Sequence, residues 1–379
     1  MVYCLTFLII LLGLFCIRSK SFSKVQILLI ILLFGFSFGN ADYNVHYIKY
    51  TQINNMLNQT EILYIGIMRF FNNLGLSYQN FLFITACFVA FCYITFIKNN
   101  TKYASMVLSL YLIFPFCMDV TMVRYTISFS IVLFAINMLL SDKKFSLVKY
   151  LSIIFIASMI HISAIFYLIF LIPKYIKKEN YIKFVLKIDI IFFAFYKIIL
   201  KILNNIKKIS FMNIGEKVNI ITNFAQNSYN LNDFFKYSLK VIFSFLLFSL
   251  IYYFIMKWYK EKNGEENNNN INKIIKIYKI NVILLMIIPF MLLSLDLVRM
   301  QMAISIVNYI AVANFLEIYL NKKQRIVNNG KINKYCFVTL ILIILYAILN
   351  LYLWVLKTPN YKTVFIPLFE NNMLIQWWG

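Results

Sequence analysis

Charge is what this 379-residue chain has least of. Only 13% of its residues are Asp, Glu, Lys or Arg, against about a quarter in an ordinary soluble chain. Glycine (9) and proline (5) are scarce, so helix-breaking residues are few. There are two histidines, His46 and His161. No Gly-rich phosphate loop, H-E-x-x-H, G-x-S-x-G or D-x-D pair occurs. That weighs against an ATP-driven pump, a zinc protease, a serine hydrolase and a metal-dependent nucleotide-sugar transferase. The six cysteines (Cys4, Cys16, Cys87, Cys92, Cys117, Cys336) lie in apolar runs without a C-x-x-C pair. They read as small core residues, not as a disulfide frame or a metal site.

What the chain has is hydrophobic length. It is 62% hydrophobic, with a mean hydropathy of +0.76, and many stretches run for 15 to 25 residues with little charge, as a hydrocarbon core of about 30 Å selects. The runs are apolar on all sides, not alternating with period two, which excludes a β-barrel. The chain therefore reads as an all-α, polytopic integral membrane protein, one transmembrane domain over residues 1–379. About eleven apolar segments are expected: 1–17, 25–39, 80–97, 104–118, 122–140, 147–172, 183–202, 237–257, 275–295, 298–320 and 335–356. The apolar N-terminus has no basic residue before it and no small-residue cleavage site, and reads as a retained first span. Polar segments fall at 40–79, which includes the amphipathic EILYIGIMRFFNNLG, and at 203–236. The run Asn263 to Asn270 is low in complexity, and the tail carries Trp377 and Trp378, suited to an interfacial belt. The net charge of +23 sits largely in short loops. It reads as topology and contact with anionic headgroups of the bilayer, not as nucleic-acid binding.

Loop charges predict an orientation. Arg18, Lys20 and Lys24 place the first loop in the cytoplasm and segment 40–79 outside. Lys98 and Lys102 fall inside, the turn 119–122 outside, and Lys143, Lys144 and Lys149 inside. Lys322, Lys323 and Arg325 put the turn at Asp296 outside, loop 258–274 inside and loop 203–236 outside. Parity then fails if 147–172 and 183–202 both cross. Either 147–172 enters and returns on one side with His161 near its turn, or 183–202 lies along the surface. The first is favoured, because a cytoplasmic loop suits Lys174, Lys177, Lys178 and Lys183.

Two arginines sit inside apolar stretches, Arg124 in MDVTMVRYTISFSIV and Arg299 in LDLVRMQMAISIV. Each closely follows an aspartate (Asp119, Asp296) and precedes a Ser-Ile-Val (Ser130 to Val132, Ser305 to Val307). Intramembrane cations are costly and functional by default. Two guanidinium forks can hold a pyrophosphate and offset the charge it gains as a leaving group. The plainer alternative pairs each arginine with its own aspartate, easily for Asp296 and Arg299 at i,i+3 and less well for Asp119 and Arg124, five apart. His161, in IASMIHISAIFYL, has the right imidazole for accepting a proton from a hydroxyl, or it is a structural histidine between helices. Asp42 with Tyr43 opens the external segment, and Glu61 starts its amphipathic part. These carboxylates suit a general base or sugar hydroxyls, or else they stabilise helix N-termini.

Asp42-Tyr43, then Glu61 before an aromatic-rich helix, then Asp119-x4-Arg124, then Ile160 to Ala164 (IHISA) resemble the EpsG family, which is related to the Wzy polymerases of O-antigen and capsule. The likeness is clearest over 40–300, and Arg299 and Pro359 to Tyr361 (PNY) also look family-like. The polar loop 203–236 is modest for a polymerase. The resemblance implies a GT-C-like helical bundle in the bacterial cytoplasmic (inner) membrane, acting at its periplasmic face. It implies joining of oligosaccharide units carried on undecaprenyl pyrophosphate, both donor and acceptor being lipid-linked. No nucleotide, metal or other cofactor is needed, since lipid pyrophosphate is already a good leaving group. A chain-length regulator and a flippase are the implied partners. In that scheme Arg124 and Arg299 hold the donor pyrophosphate and His161 or Asp119 takes the acceptor proton. A flippase would want the same cations but also a two-half repeat, whereas the echo here is local. An O-antigen ligase shares the chemistry and general build. A membrane acyltransferase fits poorly, since Arg18 is the one arginine near the N-terminus.

Overall fold

A computed structural model describes residues 2–55, 61–141, 145–175, 181–206, 230–263, 268–325 and 334–373. Among these there is no strand, only one isolated bridge, Ser37 to Asn372, and the fold is that of a helical membrane protein. Three helices begin at a serine placed immediately before an apolar run, whose hydroxyl accepts from a backbone N–H that has no partner within the helix. Ser19 caps Lys20–Gly35, Ser77 caps Tyr78–Asn100 and Ser146 caps Leu147–Ile160.

Among the described residues, five helices are long and apolar enough to cross a bilayer: Tyr78–Asn100, Val123–Leu140, Leu231–Glu261, Leu295–Asn321 and Lys334–Leu356. That is fewer than the eleven apolar segments of the sequence, because several of those segments are subdivided or short. Val2–Phe15 has 14 residues, about 21 Å of helix at 1.5 Å per residue, short of a core of about 30 Å. Segment 104–118 stops at Ile113 before Pro115 and restarts as the short helix Phe116–Thr121. Most of 203–236, Lys143 and Lys144, Lys177 and Lys178, Gly264 to Asn267, and Trp377 and Trp378 lie outside the described residues.

Segment 147–172 breaks at His161. Leu147–Ile160 is α-helical, and the chain then turns into a 3₁₀ stretch, Ile162–Leu171. The two halves run back along each other: Tyr150 Oη donates to Tyr167 O at 2.7 Å, and Lys174 Nζ lies 3.2 Å from the centre of the Phe145 ring. Residues 145 and 174 therefore share one end of the bundle, and His161 marks the reversal.

Leu295–Asn321 is the axis of the fold. Of its apolar window 89% is buried, against 28% for Leu231–Glu261. Its interior is not purely apolar. Asn308 and Asn281 exchange amide hydrogen bonds (2.6 and 3.1 Å), and Asn308 Nδ2 also donates to Tyr346 Oη at 3.0 Å. Gln301 Nε2 donates to Ser244 Oγ at 3.0 Å, and Ser244 and Ser305 each lie 3.3 Å from Tyr346 Oη. Buried polar groups persist when they satisfy one another, and here the partners come from four helices. The Ser-Ile-Val echo has no common use: Ser130 Oγ donates back to Thr126 O in its own helix.

Two groups of loop residues come together in space. Arg18, Lys20, Lys24, Lys98, Lys102 and Glu317 line one basic cleft, with Lys102 and Glu317 paired at 3.1 Å. At another cleft the 118–122 turn, Asp42 and Asp296 come together.

Candidate functional site

The second cleft, of about 250 Å³, is lined by Asp42, Thr121, Tyr237, Asp296, Arg299, Trp354, Thr358 and Asn360, with Met118, Met122 and Met302 among its apolar neighbours. Asp42 is brought there by a turn at Gly39 (φ +66), a backbone conformation that L side chains rarely adopt. The C-terminal tail then holds the segment: Phe38 N donates to Asn371 O and Ala41 N to Thr363 O, each at 2.9 Å. Asp42 occupies the cap position of helix Tyr43–Thr51, yet its side chain makes no cap hydrogen bond, so its carboxylate is not spent on the helix. Asn360 Nδ2 donates to Trp354 O at 2.9 Å. Trp354 sits in a π-helical turn, Tyr352–Leu356, and stacks on Tyr237 at 5.8 Å and 14°. Single π-helical turns recur at functional sites.

Arg299 pairs with Asp296 at 2.9 Å, i to i+3, and Asp296 is 58% exposed. A pair this open to water is worth about 0–1 kcal/mol. One carboxylate takes at most two of the five guanidinium donors, so Arg299 keeps donors for a ligand in the cleft.

Arg124 behaves differently. It is not paired with Asp119; its Nη1 donates to Glu61 Oε2, on a side chain that is 11% exposed. Glu61 stands at the start of helix Ile62–Asn73 without capping it. Arg124 is not among the residues lining the Arg299 cleft. The pair instead adjoins His46, which is buried on helix Tyr43–Thr51 with its Nδ1 3.5 Å from Tyr64 Oη. Burial, with Arg124 and Lys49 adding like charge, pushes His46 down to about 3 from 6.5, so it is neutral. Tyr43 stacks on Tyr47 and meets Tyr78 edge-on, and Tyr50 Oη donates to Leu76 O at 2.8 Å. This aromatic packing fixes the two short helices against Tyr78–Asn100.

Asp119 is fully buried. Its Oδ2 accepts from Tyr93 Oη at 2.9 Å and Tyr111 Oη at 2.8 Å, and its backbone carbonyl accepts from Thr126 Oγ1 at 2.8 Å. It turns inward because the helix breaks at Met122, between Phe116–Thr121 and Val123–Leu140, so five-residue helical spacing does not carry across. His161 is also buried. Its Nδ1 accepts from Ser163 N at 3.3 Å and lies 2.7 Å from Ser163 Oγ, and its ring meets Tyr125 edge-on. It caps the 3₁₀ stretch and does not line the Arg299 cleft.

The structure thus groups Asp42, Asp296 and Arg299 in one cleft and Glu61 with Arg124 in a pair, and encloses Asp119 and His161 elsewhere. Tyr237, Trp354 and Asn360 were not singled out as site residues from the sequence. Pro359 to Tyr361 was flagged by resemblance, and Trp354 closes an apolar span where aromatic residues ordinarily serve as interfacial anchors.

No curated protein and no solved structure matches the chain. A family model does, over residues 20–363, a stretch that takes in both arginine ion pairs and all the polar residues lining the cleft. The protein belongs to the EpsG family, whose members are associated with Wzy-like polysaccharide polymerases.

Proposed function

We propose that the protein joins oligosaccharide repeat units carried on undecaprenyl pyrophosphate into a longer polysaccharide, at the outer face of the cytoplasmic membrane. The acceptor sugar hydroxyl attacks the anomeric carbon of the lipid-linked donor. A new glycosidic C–O bond forms, the C–O bond to pyrophosphate breaks, and the electron pair leaves on the lipid pyrophosphate. The observation that carries this reading is the cleft itself. A guanidinium with spare donors (Arg299), a carboxylate not used in capping (Asp42) and a stacked Tyr237–Trp354 pair share about 250 Å³.

Each supplies one requirement. Arg299 binds the pyrophosphate and stabilises the charge that builds on it. Asp42 accepts the proton of the attacking hydroxyl. The ring faces of Tyr237 and Trp354 offer stacking surface to sugar. Arg124, held by Glu61, adds positive potential beside His46 and fixes the helix Ile62–Asn73 against Val123–Leu140. Asp119 and His161 act as structural supports in this scheme, tying Val123–Leu140 to its neighbours. Leu147–Tyr175 enters and returns on the cytoplasmic side, which restores the parity of the loop charges.

The test is a complementation experiment in a strain lacking the gene. A polymerase defect leaves single repeat units at the cell surface, and wild-type chain restores the ladder on a gel. Complete loss of surface units in the deletion strain would instead identify a flippase and overturn this reading.

A further inference from the structure

Lys240 is the least explained cation among the described residues. It lies within the apolar helix Asn230–Asn263, is only 9% exposed, and its ammonium has no hydrogen-bond partner among the described residues. It sits over two ring faces, 5.0 Å from the centre of Tyr237 and 4.8 Å from that of Trp354. Two ring quadrupoles return only part of the cost of burying an ammonium. The neighbouring charges make matters worse, since those acting on it come from Lys236 and Lys357. Asp233 acts on Tyr237 but forms no ion pair with Lys240. Among the described residues Lys240 is buried with two further ammonium groups acting on it and no anion paired with it, which leaves an anion to be supplied.

Lys240 also lines an apolar groove of about 390 Å³, whose other walls are Leu239, Ile242, Phe243, Leu246 and Leu353. Lys240 touches both features: it lines the groove, and it sits over the Tyr237 and Trp354 rings, which line the Arg299 cleft. We infer that Lys240, with Lys236 and Lys357, is the anchor for the phosphate of a single-chain isoprenoid lipid, and that the lipid's tail occupies the Leu239–Leu246 groove. Charge complementarity selects a phosphate, and the apolar walls beside Lys240 select a lipid tail attached to it. The identity of the lipid as the polymerase's carrier rests on the function proposed above; the pairing of phosphate and tail does not.

The test is direct binding by the full-length protein in detergent, by native mass spectrometry. The probes are undecaprenyl monophosphate, undecaprenol (the same tail without phosphate), inorganic pyrophosphate and phosphatidylglycerol. Lys240→Gln should weaken undecaprenyl monophosphate about tenfold, the loss expected for one charge-assisted hydrogen bond, and leave undecaprenol unchanged. Lys240→Arg should retain most of the binding. Lys240→Met should melt at or above the wild-type temperature while losing the phosphate preference, because an unpaired buried cation is a cost to the empty fold. Leu246→Trp, which fills the groove, should weaken both isoprenoids and spare pyrophosphate. Unchanged undecaprenyl monophosphate binding in Lys240→Gln overturns the inference, as does a lower melting temperature in Lys240→Met with binding intact. Competition by phosphatidylglycerol at equal concentration also overturns it, assigning Lys240 to ordinary headgroups. These readouts need no polymer, so they stand or fall separately from the ladder on the gel.

Discussion

Glu61 and Arg124 lie 63 residues apart in the chain and form an ion pair that ties the helix Ile62–Asn73 to the first turn of Val123–Leu140. The Glu61 side chain is 11% exposed and that of Arg124 32%, so the pair is much drier than Asp296 with Arg299. Removing one partner leaves the other charge poorly solvated. Glu61→Ala and Arg124→Ala should each lower stability by about 1–3 kcal/mol, and the double variant should cost clearly less than their sum. Thermal melts of the four proteins in detergent measure this coupling, and strict additivity would remove the pair from the account.

Arg299 is expected to matter for chemistry more than for folding. Arg299→Lys keeps the charge but loses the planar fork, and polymer formation should fall about 100-fold with little change in melting, the scale of losing one donor to a developing anion. Asp296→Asn should cost far less, within about fivefold, since an exposed pair is worth about 0–1 kcal/mol. Ladder intensity in complemented cells ranks the two, and an Asp296 defect as deep as that of Arg299 would contradict the assignment.

The two candidate carboxylates separate cleanly. Asp42→Asn should abolish polymer while the melting temperature holds. Asp119→Leu should strand the hydroxyls of Tyr93 and Tyr111, at about 1–3 kcal/mol each, and so should lower the melting temperature sharply. An Asp119→Leu protein that melts normally yet makes no polymer would move the proton acceptor to Asp119.

His46 gives the pH dependence. Its folded value of about 3 lies below the ordinary 6.5, so between these limits the unfolded chain binds the extra proton. The stability is whole above about pH 6.5 and declines as pH falls toward 3, with a slope of at most about 1.4 kcal/mol per pH unit. His46→Phe should flatten the loss of melting temperature between pH 7.5 and pH 5; an unchanged slope would place the titration elsewhere.

The reversal at His161 predicts that residues 149 and 174 label from one side of the membrane. Single cysteines at Lys149 and Lys174, in a background without the exposed Cys4 and Cys16, should react alike with an impermeant maleimide on intact cells. Labelling from opposite sides would mean that Leu147–Tyr175 crosses.

Much of the helical layout was legible because hydropathy is local. The expected segments 80–97, 122–140 and 335–356 match Tyr78–Asn100, Val123–Leu140 and Lys334–Leu356. Loop charge brought Arg18, Lys20, Lys24, Lys98 and Lys102 to one face, and they share a cleft. Asp296 with Arg299 was readable because both sit on one helical turn. Glu61 with Arg124 was not, since a contact across 63 residues leaves no trace in local spacing. The same holds for Asp119, whose tyrosine partners lie 26 and 8 residues away. Lys240 was visible in principle as a lone cation in YSLKVIFSFLLF, but its want of a partner is a property of the packed structure alone.

The amide and hydroxyl network around Asn308 bears on how the bundle assembles. Lipid tails give one apolar helix no hydrophobic reason to prefer another, so neighbours must be chosen by packing and by hydrogen bonds. Asn281, Asn308, Tyr346, Ser244 and Gln301 satisfy one another at one rotation of each helix. A quarter turn of the axial helix would turn Asn308 away from Asn281 and Tyr346 and leave its amide unpaired in the core. The network therefore works as an address: it tells Ser305–Arg325 which partners to accept during insertion, and in doing so it sets the direction in which Arg299, six residues before Ser305, leaves the helix end.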